Sequence, residues 1–121
     1  MKKKILIVDD EPDMLAILQI RLESAGYEVF TAEDGEAGLA QVTKVKPDLV
    51  ILDVMMPKLN GYQVCQNLKQ AQATKGIPVI LLTAKAEESD KFLGKACGAD
   101  AYITKEYESD KLLEKMRELI I

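Results

Sequence analysis

Apolar residues in this chain follow two alternating rhythms. Runs rich in aliphatic and β-branched residues recur at Lys4 to Val8, Tyr27 to Thr31, Leu49 to Leu52, Val79 to Leu82 and Ala101 to Thr104. Between them the apolar positions take helical spacing: Leu15, Leu18 and Leu22; Ala37 and Val42; Val64, Cys65 and Leu68; Phe92 and Ala96; Leu112, Leu113 and Met116. Residues three and four apart share one face of a helix, so each group is a stripe that needs a core to lie against. Five strand-helix units in a row predict an α/β fold: a parallel sheet with helices on both faces, because right-handed crossovers return each strand to the same sheet. Leu49-Val-Ile-Leu52 and Val79-Ile-Leu-Leu82 are apolar at every position, as central strands buried on both faces should be. Lys4-Ile-Leu-Ile-Val8 reads likewise, whereas Tyr27-Glu-Val-Phe-Thr31 alternates and suits an edge.

Punctuation agrees with this division. Pro12 suits a first helical turn after Glu11, Gly26 can close the first helix, and Asp34 and Ser109 can cap the helices that follow them. No linker, repeat or low-complexity stretch interrupts the pattern, and the expectation is one domain over residues 1–121. Whether that domain stands alone or is cut from a longer protein is open at this level.

Polar residues then gather where the strands stop. Asp9 and Asp10 follow the first strand, Asp53 the third, Thr83 the fourth and Lys105 the fifth. In a parallel sheet these ends share one edge, where ligands of open α/β sheets bind. Two carboxylates about 4 Å apart repel by roughly 4 kcal/mol at an effective dielectric near 20, so a hard cation is their natural neutraliser. Oxygen donors without His or Cys favour Mg²⁺ over zinc, and Mg²⁺ commonly takes one or two carboxylates together with waters and a phosphate oxygen. An ionised carboxylate can attack phosphorus without a general base, while Mg²⁺ and the Lys105 ammonium would stabilise the charge on the transferred group. Any one aspartate after a strand reads first as a turn or cap residue. It is the set, with Thr83 and Lys105 at matching ends, that points to phosphoryl chemistry. Asn60-Gly61 reads as a turn, and Met55 and Met56 as packing residues.

Composition narrows the classes. The chain has no histidine, which removes Ser-His and Cys-His nucleophile systems, imidazole metal sites and an internal phosphohistidine. A net charge of -4 argues against nonspecific nucleic-acid binding. Cys65 and Cys97 match no zinc or CxxC spacing and read as structural thiols of a reducing compartment. No apolar stretch nears the roughly 20 residues of a membrane helix, and the expected location is the cytoplasm, with no membrane partner.

Four blocks carry a family resemblance: Ile5-Leu-Ile-Val-Asp-Asp-Glu-Pro12; Leu49-Val-Ile-Leu-Asp-Val-Met-Met-Pro57 with Asn60-Gly61; Pro78-Val-Ile-Leu-Leu-Thr-Ala84; and Gly98-Ala-Asp-Ala-Tyr-Ile-Thr-Lys105. In order and spacing they resemble the receiver domain of bacterial two-component response regulators, over essentially the whole chain. The resemblance implies a flavodoxin-like, doubly wound (βα)5 fold with strand order 2-1-3-4-5. It implies that Asp53 accepts a phosphoryl group from a histidine kinase or phosphotransfer protein, and that Asp10, Asp53 and the Met55 backbone carbonyl bind Mg²⁺, with Asp9 helping through water. Thr83 and Tyr102 would be the switch pair and Lys105 the phosphoryl contact. Phosphorylation adds nearly two negative charges; if Thr83 moves inward to bond them, Tyr102 can turn into the vacated space. The readout would be the face built from the fourth helix, fifth strand and fifth helix, acting on a downstream protein, a missing output domain, or a second copy through dimerisation.

Three departures or refinements follow from the same resemblance. Members usually carry proline after the lysine, and here Lys105 precedes Glu106. A cis bond before a nonproline residue costs about 2.5–4 kcal/mol, so a trans bond, or a strained cis one, and a looser loop are expected. Gly38 stands where alanine is commoner and would permit close helix packing. Met55 and Lys85, flanking the phosphoryl position, would slow attack by water, so the phosphoprotein is expected to outlast those of fast chemotaxis proteins.

The chain is thus expected to turn over no external metabolite beyond its own phosphorylation and dephosphorylation. Its alternative is a degenerate receiver that binds partners without phosphorylation. An aspartate-nucleophile phosphatase would need a second carboxylate two residues past Asp53, where Met55 stands. A flavin module would need a hydroxyl- and glycine-rich phosphate cradle where Asp9-Asp-Glu-Pro12 stands.

Overall fold

The aliphatic runs become strands because their branched side chains fill both faces of a pleated sheet. In the computed structural model, which describes residues 2–83, 97–104 and 109–120, they form β1 (Lys4–Val8), β2 (Glu28–Ala32), β3 (Leu49–Asp53), β4 (Val79–Thr83) and β5 (Ala101–Thr104). All pairings are parallel and the order is β2-β1-β3-β4-β5. This is the doubly wound, flavodoxin-like arrangement expected, with β2 at one edge and β3 in the middle. The helices are α1 (Pro12–Ser24), α2 (Gly35–Val45), α3 (Gly61–Gln70) and a C-terminal helix, Ser109–Leu119. The expected helix around Phe92 and Ala96, Lys85 and the Lys105-Glu106 bond lie outside the described residues.

Two cores sandwich the sheet. On one face Leu6, Val8, Val50, Leu52, Val79 and Leu81 pack against Val42 of α2 and Val64, Cys65 and Leu68 of α3. On the other, Ile5, Ile7, Leu49, Ile51, Ile80 and Leu82 meet Leu15, Leu18 and Leu22 of α1 and Leu112 and Met116 of the C-terminal helix. Alternation along each strand divides the side chains between these layers, which is why the central strands are apolar throughout.

Local signals set the ends. Pro12 opens α1 after Glu11. That helix closes in a Schellman motif: Gly26 at φ +98° donates to the Glu23 carbonyl at 3.0 Å and Tyr27 to the Leu22 carbonyl at 3.1 Å. Tyr27 is thereby committed to the helix stop, so β2 runs one residue later than its sequence pattern predicts. Asp34 caps α2 by accepting the Ala37 amide at 2.7 Å. Gly38 allows the approach anticipated for it: a Cβ there would come within 2.8 Å of a Val8 methyl, so α2 sits directly against the end of β1.

Candidate functional site

Register assembles the acidic edge. Val8 pairs with Leu52, so Asp9, just past β1, and Asp53, the last residue of β3, stand side by side at the ends of adjacent strands. Both are buried, at 1% and 3% exposure, whereas Asp10 and Glu11 are exposed on the rim. Carboxylate oxygens of Asp9, Asp10, Glu11 and Asp53 all lie within 4.8 Å of one another.

Backbone groups shape the two loops. The Asp9 amide donates to the Ala32 carbonyl at 3.1 Å and holds the start of its loop against β2. Asp9 Oδ1 accepts the Glu11 amide at 2.9 Å, a tight turn that swings Glu11 toward the other acids. Across the crevice Asp53 Oδ1 lies 3.4 Å from the Met55 amide. The Val54 amide donates to the Leu82 carbonyl at 3.0 Å, and the Gly61 amide to the Val54 carbonyl at 3.1 Å. Asn60 and Gln63 form a reciprocal capping box at 2.9 and 3.0 Å that fixes the start of α3.

Two residues gain a place at the site that their sequence reading did not give them. Glu11 reads only as the residue before Pro12, yet it is the fourth carboxylate of the cluster; its adjacency to Asp9 and Asp10 in one tight turn was the available signal. Gly61 reads as half of a turn dipeptide. A Cβ there would collide with the Asp53 carbonyl oxygen and come within 2.9 Å of Val54 Cα, so the absent side chain lets α3 press on the backbone under Asp53. Met55 differs from its packing role: it is 73% exposed, while Met56 is buried as expected. A groove of about 400 Å³ runs beside it, lined by Val54, Met55, Met56, Pro57, Asn60 and Tyr62.

Thr83 and Tyr102 occupy related positions. Thr83 ends β4 and is 4% exposed. It pairs with Thr104, and Leu81 with Tyr102, so alternation sets Thr83 and Tyr102 on the same sheet face, on adjacent strands. Tyr102 is half-buried, and its hydroxyl is 3.5 Å from that of Tyr62 on α3. Lys105 lies outside the described residues.

Four oxygen donors without nitrogen or sulfur suit a hard divalent cation and make a poor site for zinc. The same cluster disfavours a phosphate-bearing cofactor, since acidic groups repel phosphate where a cradle would present amides. No described helix is long and apolar enough to cross a membrane.

Known proteins share this architecture. Residues 5–117 match the family model for the response regulator receiver domain. The chain is 46% identical over 120 residues to the alkaline phosphatase synthesis transcriptional regulatory protein PhoP of Bacillus subtilis, a match covering 99% of this chain and 49% of that protein. It therefore spans about half the length of the curated relatives it matches, PhoP at 49% and the transcriptional regulator RpaA of Synechocystis at 48%. Among solved structures, the chemotaxis protein CheY4 of Vibrio cholerae superposes with a TM-score of 0.92 at 32% identity, covering 98% of this chain and 99% of that one. The response regulator TrrA of Thermotoga maritima, solved in complex with Mg²⁺-BeF, gives 0.88 at 39% identity over 98% and 99% of the two chains. Sequence match and superposition agree along nearly the whole chain: it belongs to the response regulator receiver domain family of two-component signal transduction.

Proposed function

We propose that this domain is a cytoplasmic phosphoacceptor in which Asp53 takes a phosphoryl group from the phosphohistidine of a partner kinase or phosphotransfer protein, in a Mg²⁺-dependent reaction. The observation that carries this reading is the convergence of Asp9, Asp10, Glu11 and Asp53, with carboxylate oxygens within 4.8 Å of one another at the carboxyl ends of adjacent strands.

Each role has a physical basis. Asp10, Asp53 and the Met55 carbonyl would hold Mg²⁺, with Asp9 and Glu11 acting from the side, through water or directly. When bound, the ion neutralises the acids and stabilises charge on the transferring group. Asp53 ends β3, and the next residue, Val54, is held by the Leu82 carbonyl of β4 and the Gly61 amide of α3, so the Asp53 carboxylate is presented at little reorganisation cost. Thr83 would donate its hydroxyl to a phosphoryl oxygen, and Lys105 would pair with the same group. Tyr102, on the same sheet face as Thr83, would read the change and alter the surface formed by β5 and its flanking helices. The output then falls to a downstream protein or to an output domain outside this receiver; PhoP and RpaA, both transcriptional regulators, are about twice this length. Net charge of -4 makes direct DNA binding by the receiver unfavourable.

Intact mass tests the reading. After incubation with a small acyl phosphate and Mg²⁺, the chain should gain one phosphoryl group, and EDTA or Asp53→Asn should abolish the gain. A folded protein that gains none from either acyl phosphate or phosphorylated kinase would sink it.

A further inference from the structure

Two thiols lie apart from the acidic edge and have no part in the chemistry above. Cys65, on the buried face of α3, is shielded from solvent, and Cys97, in the turn before β5, is 7% exposed. The Cys65 thiol donates to the Cys97 carbonyl oxygen at 3.5 Å, which sets α3 against the turn that carries the second thiol. The two are not joined in a disulfide.

The surroundings hold them in place. One helical turn beyond Cys65, Lys69 donates to Asp100 Oδ2 and to the Ile77 carbonyl, both at 2.8 Å. Asp100 Oδ2 also accepts the Val79 amide at 2.8 Å, so the turn is tied to α3 and to β4 together. Gly98, at φ +88°, lies so near α3 that a Cβ would stand 3.2 Å from Lys69 Cγ. Contact this close, held by the linked Lys69–Asp100–Val79 hydrogen bonds, gives the two sulfurs a high effective concentration toward each other.

The pair is also electronically unequal. Donation from the Cys65 thiol, with help from backbone amides and Lys69, lowers Cys97 to about 7, while the same bond and burial push Cys65 up. The thiolate is the nucleophile, and a thiol titrating near ambient pH combines thiolate population with intrinsic reactivity.

We propose that Cys65 and Cys97 form a peroxide-sensitive dithiol site that closes a reversible disulfide between α3 and the turn leading into β5. Cys97 thiolate attacks one peroxide oxygen; the O–O bond breaks, hydroxide leaves and is protonated to water, and Cys97 becomes a sulfenic acid. The Cys65 sulfur then attacks the Cys97 sulfur; the S–O bond breaks, and hydroxyl leaves as a second water with the Cys65 proton. Peroxide is reduced by two electrons, and the two thiols are oxidised by two. An external dithiol reverses the bond by exchange. Peroxide is scarcely larger than water, and Cys97 keeps 7% of its surface exposed whereas Cys65 has none, so Cys97 is the sulfur that peroxide meets first. Closure would lock α3 to the strand that carries Tyr102.

The test treats the reduced, folded chain with hydrogen peroxide, quenches, and counts alkylatable thiols in denaturant by intact mass and nonreducing peptide mapping. Expected are the loss of two hydrogens, the joint loss of both alkylatable thiols, a Cys65–Cys97 linked peptide within one chain, and full reversal by dithiothreitol. Mapping separates this from oxygen added at Met55, which is 73% exposed. Cys65→Ser should arrest Cys97 as a sulfenic acid captured by dimedone, and Cys97→Ser should leave Cys65 reduced. The wild-type map decides the question even if a variant fails to fold. A disulfide between two chains, sulfinic acid at Cys97 with Cys65 still alkylatable, or two unreacted thiols would each overturn the proposal. None of these readouts involves Asp53.

Discussion

Asp53, Gly61 and Glu11 show how much of this site rests on single side chains, present or missing. Asp53 is buried at 3% exposure among other acids, so its neighbours act chiefly on its charge, whereas Gly61 acts on its backbone. Gly61→Ala should therefore destabilise the domain by about 1–3 kcal/mol, the range for overpacking a tight contact, read as a lower urea midpoint. It should also weaken Mg²⁺ binding in a titration, because relieving the clash pushes the Asp53 carbonyl away from α3. An unchanged midpoint would mean that the helix start yields freely. Glu11→Gln makes a separate prediction: removing one of the four clustered charges should lower Mg²⁺ affinity without changing the unfolding free energy in urea by more than about 0.5 kcal/mol. Sequence alone made Asp9, Asp10 and Asp53 legible because each ends an apolar run. Glu11 had a local signal, its place in the Asp9–Glu11 turn, that the strand-end reading passed over; Gly61 had none, since close approach depends on which backbone a neighbouring helix meets.

Elements here are bounded by chemistry that was mostly readable. Pro12, Gly26 and Asp34 stand where helix-end rules place them, and the structure gives each the expected role. Asp34→Ala should cost about 1 kcal/mol in a urea melt through loss of its 2.7 Å cap to Ala37. Asp100 was quoted only as part of a family block, yet its carboxylate joins three elements, accepting from Lys69 of α3 and from the amide that opens β4 just before β5 begins. Asp100→Ala leaves that amide without its acceptor and takes the carboxylate from a Lys69 ammonium that keeps only backbone carbonyls, so a loss of about 1–3 kcal/mol is expected. Asp100→Asn, which keeps an acceptor oxygen, should recover part of it. This clasp joins residues 31 positions apart, a separation over which local patterns carry no information. The one-residue shift of β2 has a local origin instead, since the Schellman hydrogen bond from Tyr27 to Leu22 claims Tyr27 before the strand can.

Across the molecule, the alternation of strand-like and helix-like runs made the layer architecture legible, and the strand order came from family resemblance and agrees with the pairing. The order matters for function because it seats β1 beside β3 and so brings two acidic loops into one crevice. The same crevice should couple ion binding to folding. Mg²⁺ at 100 times its dissociation constant should stabilise the native state by about 2.7 kcal/mol, seen as a raised thermal midpoint, and Asp10→Ala should reduce the rise. The central claim is that Asp53, among four clustered carboxylates, is the one that carries the phosphoryl group. Borohydride reduces an aspartyl phosphate to homoserine, and peptide mass mapping then locates the reduced residue. After phosphorylation with Mg²⁺ present, the account predicts homoserine at position 53 alone; homoserine at Asp9 or Asp10, or at none of them in a chain that has gained a phosphoryl group, would contradict it.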